Sequence, residues 1–143
     1  MQGAAWGASE KSVNFWIATA VRHHPIDPDV LKEALREEDS GFDENAYNKK
    51  RGEMGMAQIQ PDTWRAFKCE GVPWFGQDAV TCMAKILHAR IGACGTVGRG
   101  LASYNAGTNK CPHTKRRYVQ RILARVYRAR YQQHIEPRIA RRG

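Results

Sequence analysis

Apolar residues recur along most of this chain at helical spacing, and proline, glycine and capping residues fall between the periods. Ser12 to about His23 (SVNFWIATAVRH) predicts a first amphipathic helix, closed by Pro25. Asp27-Pro28 opens a second, with Asp as N-cap and Pro at the first helical position, where a missing N–H costs nothing. It is expected to run to about Asp39, with Gly41 ending it. Phe42 to Arg51 is polar and reads as a surface loop. Pro61 to Phe67 predicts a short helix, Gln77 to Arg90 a longer one stopped by Gly92, and Thr96 to Asn105 another, weakened by Gly98 and Gly100. The last helix, Thr114 to about His134, places Tyr118, Val119, Ile122, Leu123, Val126 and Tyr127 on one stripe and arginines on the other face. No alternating run makes a convincing strand; a minimal β-hairpin between Tyr47 and Ile59 is compatible with the pattern. With no repeat or linker, the expectation is a mainly α single domain over 1–143, with a flexible segment at 1–11 and a basic tail at 135–143.

One helix carries a chemical signal. On the second helix, at about 100° per residue, Val30, Leu31, Ala34 and Leu35 form a stripe. Glu38 falls near the middle of that stripe, whereas Glu37 and Asp39 fall at its edges. A carboxyl on an apolar face is costly unless paired or neutral, and desolvation raises its pKa. A general acid working near neutral pH needs that shift.

Composition narrows the partner. The chain has 23 Lys and Arg against 14 acidic residues, a formal net charge of +9, which favours a polyanion: nucleic acid, an anionic membrane surface or a bacterial wall. No stretch reaches the length of a membrane-spanning helix, and the start, MQGAAWGASEK, is not an intact secretory signal. Cys69, Cys82, Cys94 and Cys111 allow three pairings; none forms a Cys-x-x-Cys, so disulfides in an oxidising compartment are expected rather than a metal site.

Three segments carry a resemblance. After REEDSGF (Arg36–Phe42) come GEMGMAQIQPDTW (Gly52–Trp64) and SYNAG (Ser103–Gly107). Together they resemble the signature segments of lytic transglycosylases of the soluble-lytic-transglycosylase (SLT) type, which share the lysozyme-like fold. Counting forward from Asp27-Pro28 puts Glu38 on that family's catalytic glutamate; counting back from Ser40-Gly41-Phe42 puts Asp39 there. Helix phase selects Glu38. Gly55-Met56-Ala57-Gln58 is similar to the family's G-L-M-Q, Tyr104-Asn105-Ala106-Gly107 matches its Y-N-A-G, and PHTKRRYV puts Tyr118 on a cleft tyrosine.

The resemblance implies cleavage of peptidoglycan between N-acetylmuramic acid and N-acetylglucosamine, with a 1,6-anhydro product and no metal or cofactor. Glu38 would be the acid and then the base, with Asp39 as a modulating or alternative carboxylate. Tyr104 would orient Glu38, while Gln58, Met56, Asn105 and Tyr118 would meet the glycan. The basic surface would then serve attraction to the wall. A monomer is expected, in the periplasm or elsewhere at the cell envelope, or in a phage virion, serving a secretion, conjugation or phage-tail apparatus. The competing readings are a muramidase that hydrolyses the same bond, a non-catalytic wall-binding subunit, and a basic helical nucleic-acid binder. The last leaves the three segments unexplained.

Overall fold

The computed structural model of the chain describes residues 7–114 and 116–138. Helix α1 spans Glu10–His23 and α2 Pro28–Glu38; a two-stranded antiparallel hairpin follows, β1 (Tyr47–Asn48) and β2 (Glu53–Met54). Then come α3 (Pro61–Ala66), α4 (Gly76–Cys94), α5 (Val97–Ala106) and α6 (Arg117–Arg130), which passes into a π-helical turn, Tyr131–Ile135. The architecture is mainly helical with a minimal hairpin, consistent with a lysozyme-like fold.

The caps follow the local sequence. Ser9 Oγ accepts from the Ser12 N–H at 3.1 Å to start α1, and Asp27 Oδ1 accepts from the Asp29 N–H at 2.9 Å ahead of Pro28 in α2. Ala8 also donates to the Phe42 carbonyl at 2.9 Å, so part of the segment expected to be flexible makes contacts with the fold; residues 1–6 lie outside the described residues. At the other end the expected tail is helical through Arg138, and 139–143 lie outside the described residues.

Helix α4 is the centre of the core. Ala79, Val80, Met83, Ala84, Ile86 and Leu87 are almost fully buried, because α1 and α5 pack against it. A helix apolar on more than one face is what such a position requires. It runs past Gly92, which stays solvent-exposed inside the helix, and stops at Gly95 in the left-handed conformation (φ 90°). Helix α5 meets it closely: a Cβ on Gly100 would sit 2.4 Å from Ile91 Cγ1. Helix α6 starts at Arg117 rather than Thr114 and packs Tyr118, Val119, Ile122 and Val126 inward, against α2 and α5. Leu123 and Tyr127, expected on the same stripe, are exposed at its edge.

Two disulfides complete the frame. Cys69–Cys82 ties the loop after α3 to α4, and Cys94–Cys111 ties the end of α4 to the α5–α6 connection. Each closes a short loop, the partners being 13 and 17 positions apart in sequence. Replacing Cys94 and Cys111 together by alanine is expected to lower the unfolding free energy by about 3 kcal/mol. Urea unfolding followed by circular dichroism checks this.

Candidate active site

A cleft of about 590 Å³ opens at the C-terminal end of α2. One wall is the hairpin and the turn after it, with Arg51, Glu53, Gln58 and Gln60; another is α3, with Thr63. Arg90 of α4 lines it, as do Tyr104 and Asn105 of α5 and the loop 107–109. Glu38, the last residue of α2, also lines the cleft.

The three consecutive acids of α2 have separate surroundings. Glu37 points to α6, where Arg121 Nε donates to it at 2.6 Å and Arg125 Nη2 at 2.7 Å. Burial pushes the Glu37 carboxyl up, but the two guanidinium groups together outweigh this and hold it below its usual value. Asp39 is not among the residues that line the cleft. Its N–H closes α2 on the Leu35 carbonyl at 2.9 Å, and its Oδ2 accepts from the Asp43 N–H at 2.5 Å, so it caps the helix and braces the following loop.

Glu38 has no such cation against it. Burial pushes its carboxyl up to about 7; the Tyr118 hydroxyl opposes this, Glu53 and Glu37 add to it, and Arg51 lowers it. Near neutral pH a large share of Glu38 is therefore protonated and can donate.

Two tyrosines stand beside it, with ring centroids 6.4 Å apart. Tyr118 is buried, and its hydroxyl meets no hydrogen-bond partner among the described residues in the geometry shown. It nevertheless lies close enough to Glu38 for each to shift the other. Tyr104 is half-buried and lines the cleft. Burial first, then the neighbouring Glu38 and Glu53, keep its phenol protonated well beyond the usual range. Both tyrosines thus neighbour Glu38, and of the two it is Tyr104 that lines the cleft.

Met56 was expected in the cleft wall and is instead fully buried in the core. The turn after β2 explains this: Met54 and Ile59 bridge, Gly55 adopts φ 72° and Gln58 φ 51°, so Met56 and Ala57 point inward while Gln58 reaches the cleft. Both Gln58 amide contacts are spent on the loop itself, with Nε2 donating to Gly55 O at 2.8 Å and Ala46 O at 3.2 Å. Its carbonyl oxygen is the group left for a ligand. Asn105 is exposed at the rim, and its Oδ1 accepts from Arg116 at 3.3 Å.

Residues 15–122 match the family model of the transglycosylase SLT domain. The chain belongs to that family. Its members are lytic transglycosylases acting on peptidoglycan glycosidic bonds, so this is a cell-wall-acting enzyme with peptidoglycan as substrate. No curated protein and no solved structure gives a match. Among the described residues, no helix of this transglycosylase is long and apolar enough to cross a membrane.

Its cleft also contains residues that the sequence reading passed over. Glu53 is one: Asn48 Nδ2 donates to its Oε1 at 3.1 Å, and Arg51 Nε lies 3.8 Å from its Oε2. The available signal was an ionisable side chain two positions before Gly55, inside a matched segment. Arg90 is another. It donates to Ser103 Oγ at 3.0 Å and to the Asn109 carbonyl at 2.9 Å, fixing the loop that follows α5.

The raised Glu38 carboxyl makes a stability prediction. Its folded-state value, about 7, lies above the ordinary 4.5, so the folded protein holds the proton more tightly. Stability is unaffected below the ordinary value and is lost as pH rises through the folded one. Glu38→Gln, which removes the titrating group, is expected to stabilise the protein by about 2 kcal/mol near pH 8 and by about 0 near pH 4. Urea denaturation at the two pH values reads this without reference to activity.

Proposed function

We propose that Glu38 is the single acid–base catalyst of a transglycosylation that leaves a 1,6-anhydro end. The observation that carries the reading is a half-buried carboxyl at the cleft surface, outside the ion pairs that hold Glu37, whose pKa is raised to about 7. Protonated Glu38 donates to the oxygen between N-acetylmuramic acid and N-acetylglucosamine as the bond to C1 breaks. The sugar's acetamido oxygen covers the electron-poor C1. Ionised Glu38 then takes the proton of the C6 hydroxyl, whose oxygen closes on C1 and displaces the acetamido oxygen. The proton gained equals the proton given, and no water is consumed.

Tyr118 supports this cycle from behind. A phenol that donates to the carboxylate stabilises Glu38 after it has lost its proton, and so tempers the rise that burial imposes. Tyr104, Asn105 and the Gln58 carbonyl oxygen meet the glycan in this reading, which their position in the cleft lining supports. Asp39 acts through the loop it braces rather than on substrate.

The compartment follows from the two disulfides and the substrate: an oxidising space in contact with the wall, the periplasm or a cell-envelope or virion setting. A small basic enzyme suits local wall opening for a secretion, conjugation or phage-tail apparatus.

Digestion of purified peptidoglycan by wild type, Glu38→Gln and Asp39→Asn, read by mass spectrometry, tests the reading. Wild type is expected to yield anhydro ends, lighter by one water than hydrolysed ends. Glu38→Gln should lose roughly 100- to 10,000-fold in rate while still pelleting with sacculi, and Asp39→Asn should stay within about threefold. Hydrolysed ends from wild type would make it a muramidase. Full activity of Glu38→Gln would move the acid elsewhere.

A further inference from the structure

The cleft carries a second carboxylate, on the wall opposite α2. Glu53 sits on β2, lines the same cleft as Glu38, and is close enough to act on it through space. Its side chain is about 20% exposed; Oε1 accepts from the Asn48 amide at 3.1 Å, and Oε2 lies 3.8 Å from Nε of the exposed Arg51 guanidinium. A carboxylate with one oxygen hydrogen-bonded and a guanidinium near the other is held in place rather than free to swing onto a sugar carbon. Its position is also set by the shortest possible device: Asn48 and Glu53 are cross-strand partners in the hairpin register.

We propose that Glu53 is a charge-stabilising residue of the cleft, held by Asn48 and Arg51 so that its carboxylate offsets the positive charge that develops at the cleaved sugar carbon. The inference rests on the reading of Glu38 as the acid. It supplies what a one-carboxylate site lacks. Breaking a glycosidic bond makes C1 oxocarbenium-like, and a preorganised negative charge in a partly dry cleft stabilises that state more than the neutral substrate. No bond to Glu53 is required, so the balance of the proton cycle is unchanged.

The other charged groups around Glu38 do not serve this purpose. Glu37 is paired with Arg121 and Arg125 on α6, Asp39 caps the loop after α2, and Tyr104 and Tyr118 on α5 and α6 stay protonated. Arg51 on the hairpin and Arg90 on α4 are cations. Among the described residues lining the cleft, Glu53 is the carboxylate that remains beside Glu38.

Steady-state kinetics of Glu53→Gln, Glu53→Asp and Glu38→Gln on peptidoglycan tests the proposal. Glu53→Gln is expected to lower kcat about 100-fold with KM within about threefold, and Glu53→Asp to recover part of the loss. The alkaline limb of the rate profile, set by deprotonation of Glu38, should move to lower pH in Glu53→Gln, because a neighbouring negative charge has been removed. A purely structural brace would not shift that limb. If Glu38→Gln is inactive while Glu53→Gln keeps kcat within about threefold, this proposal fails and the reading of Glu38 stands. If Glu38→Gln is active, the underlying reading fails.

A second measurement needs no variant. At about pH 5.5, where Glu38 is largely protonated, wild type should bind a cationic iminosugar analogue of N-acetylmuramic acid at least about tenfold more tightly than its neutral counterpart. Equal affinities overturn the proposal even if Glu53→Gln fails to fold.

Discussion

Burial of the Glu38 carboxyl is the constraint around which the rest of the cleft is arranged. A carboxyl at the end of an apolar stripe keeps a proton near pH 7 only while it is largely desolvated, and Tyr104 of α5 and Tyr118 of α6 stand beside it. Two other acids flank it in sequence, and either would disturb its titration if left loose in the cleft. Arg121 and Arg125 hold Glu37 against α6, and the loop to Asp43 holds Asp39. Helix α6 thus protects the acid on both sides, with its arginines on Glu37 and its Tyr118 behind Glu38.

The same ion pairs join the first and last parts of the chain. Arg125 also donates to buried Glu33 at 2.8 Å, and Arg130 pairs with Asp27 and Asp29 at the start of α2. A carboxylate as buried as Glu33 is tolerable because Arg36 and Arg125 both reach it. Several of the arginines that give the chain its basic character are therefore engaged within the fold. The charge available for an anionic wall is smaller on this face of α6 than a count along the helix suggests.

Much of the helical frame was legible because it is written at short range. Asp27-Pro28 caps α2 where it reads as a cap, and the phase of Val30, Leu31, Ala34 and Leu35 singles out Glu38 from its two neighbours. The errors lie where long-range contacts decide. Gly92 reads as a stop, but Cys94 is tied across to Cys111 and the helix continues to meet it. Met56 and Gln58 look equivalent as cleft residues until the Met54–Ile59 bridge turns one inward and one outward. The surroundings of Tyr104 and Tyr118, both beside Glu38, depend on how α5 and α6 cross, which no local pattern encodes. Glu53 was overlooked because a two-residue strand is too short to show a period.

Each disulfide anchors a segment that lines this cleft: Ala66 and Phe67 come just before Cys69, and residues 107–109 just before Cys111. A groove with two lining segments tied in this way has less left to order when a long, flexible polysaccharide settles into it. The entropy lost on association then falls mainly on the glycan. More of the contact free energy is left to twist the scissile sugar away from its relaxed chair, and ring distortion is the part of binding that lowers a barrier rather than merely filling a site.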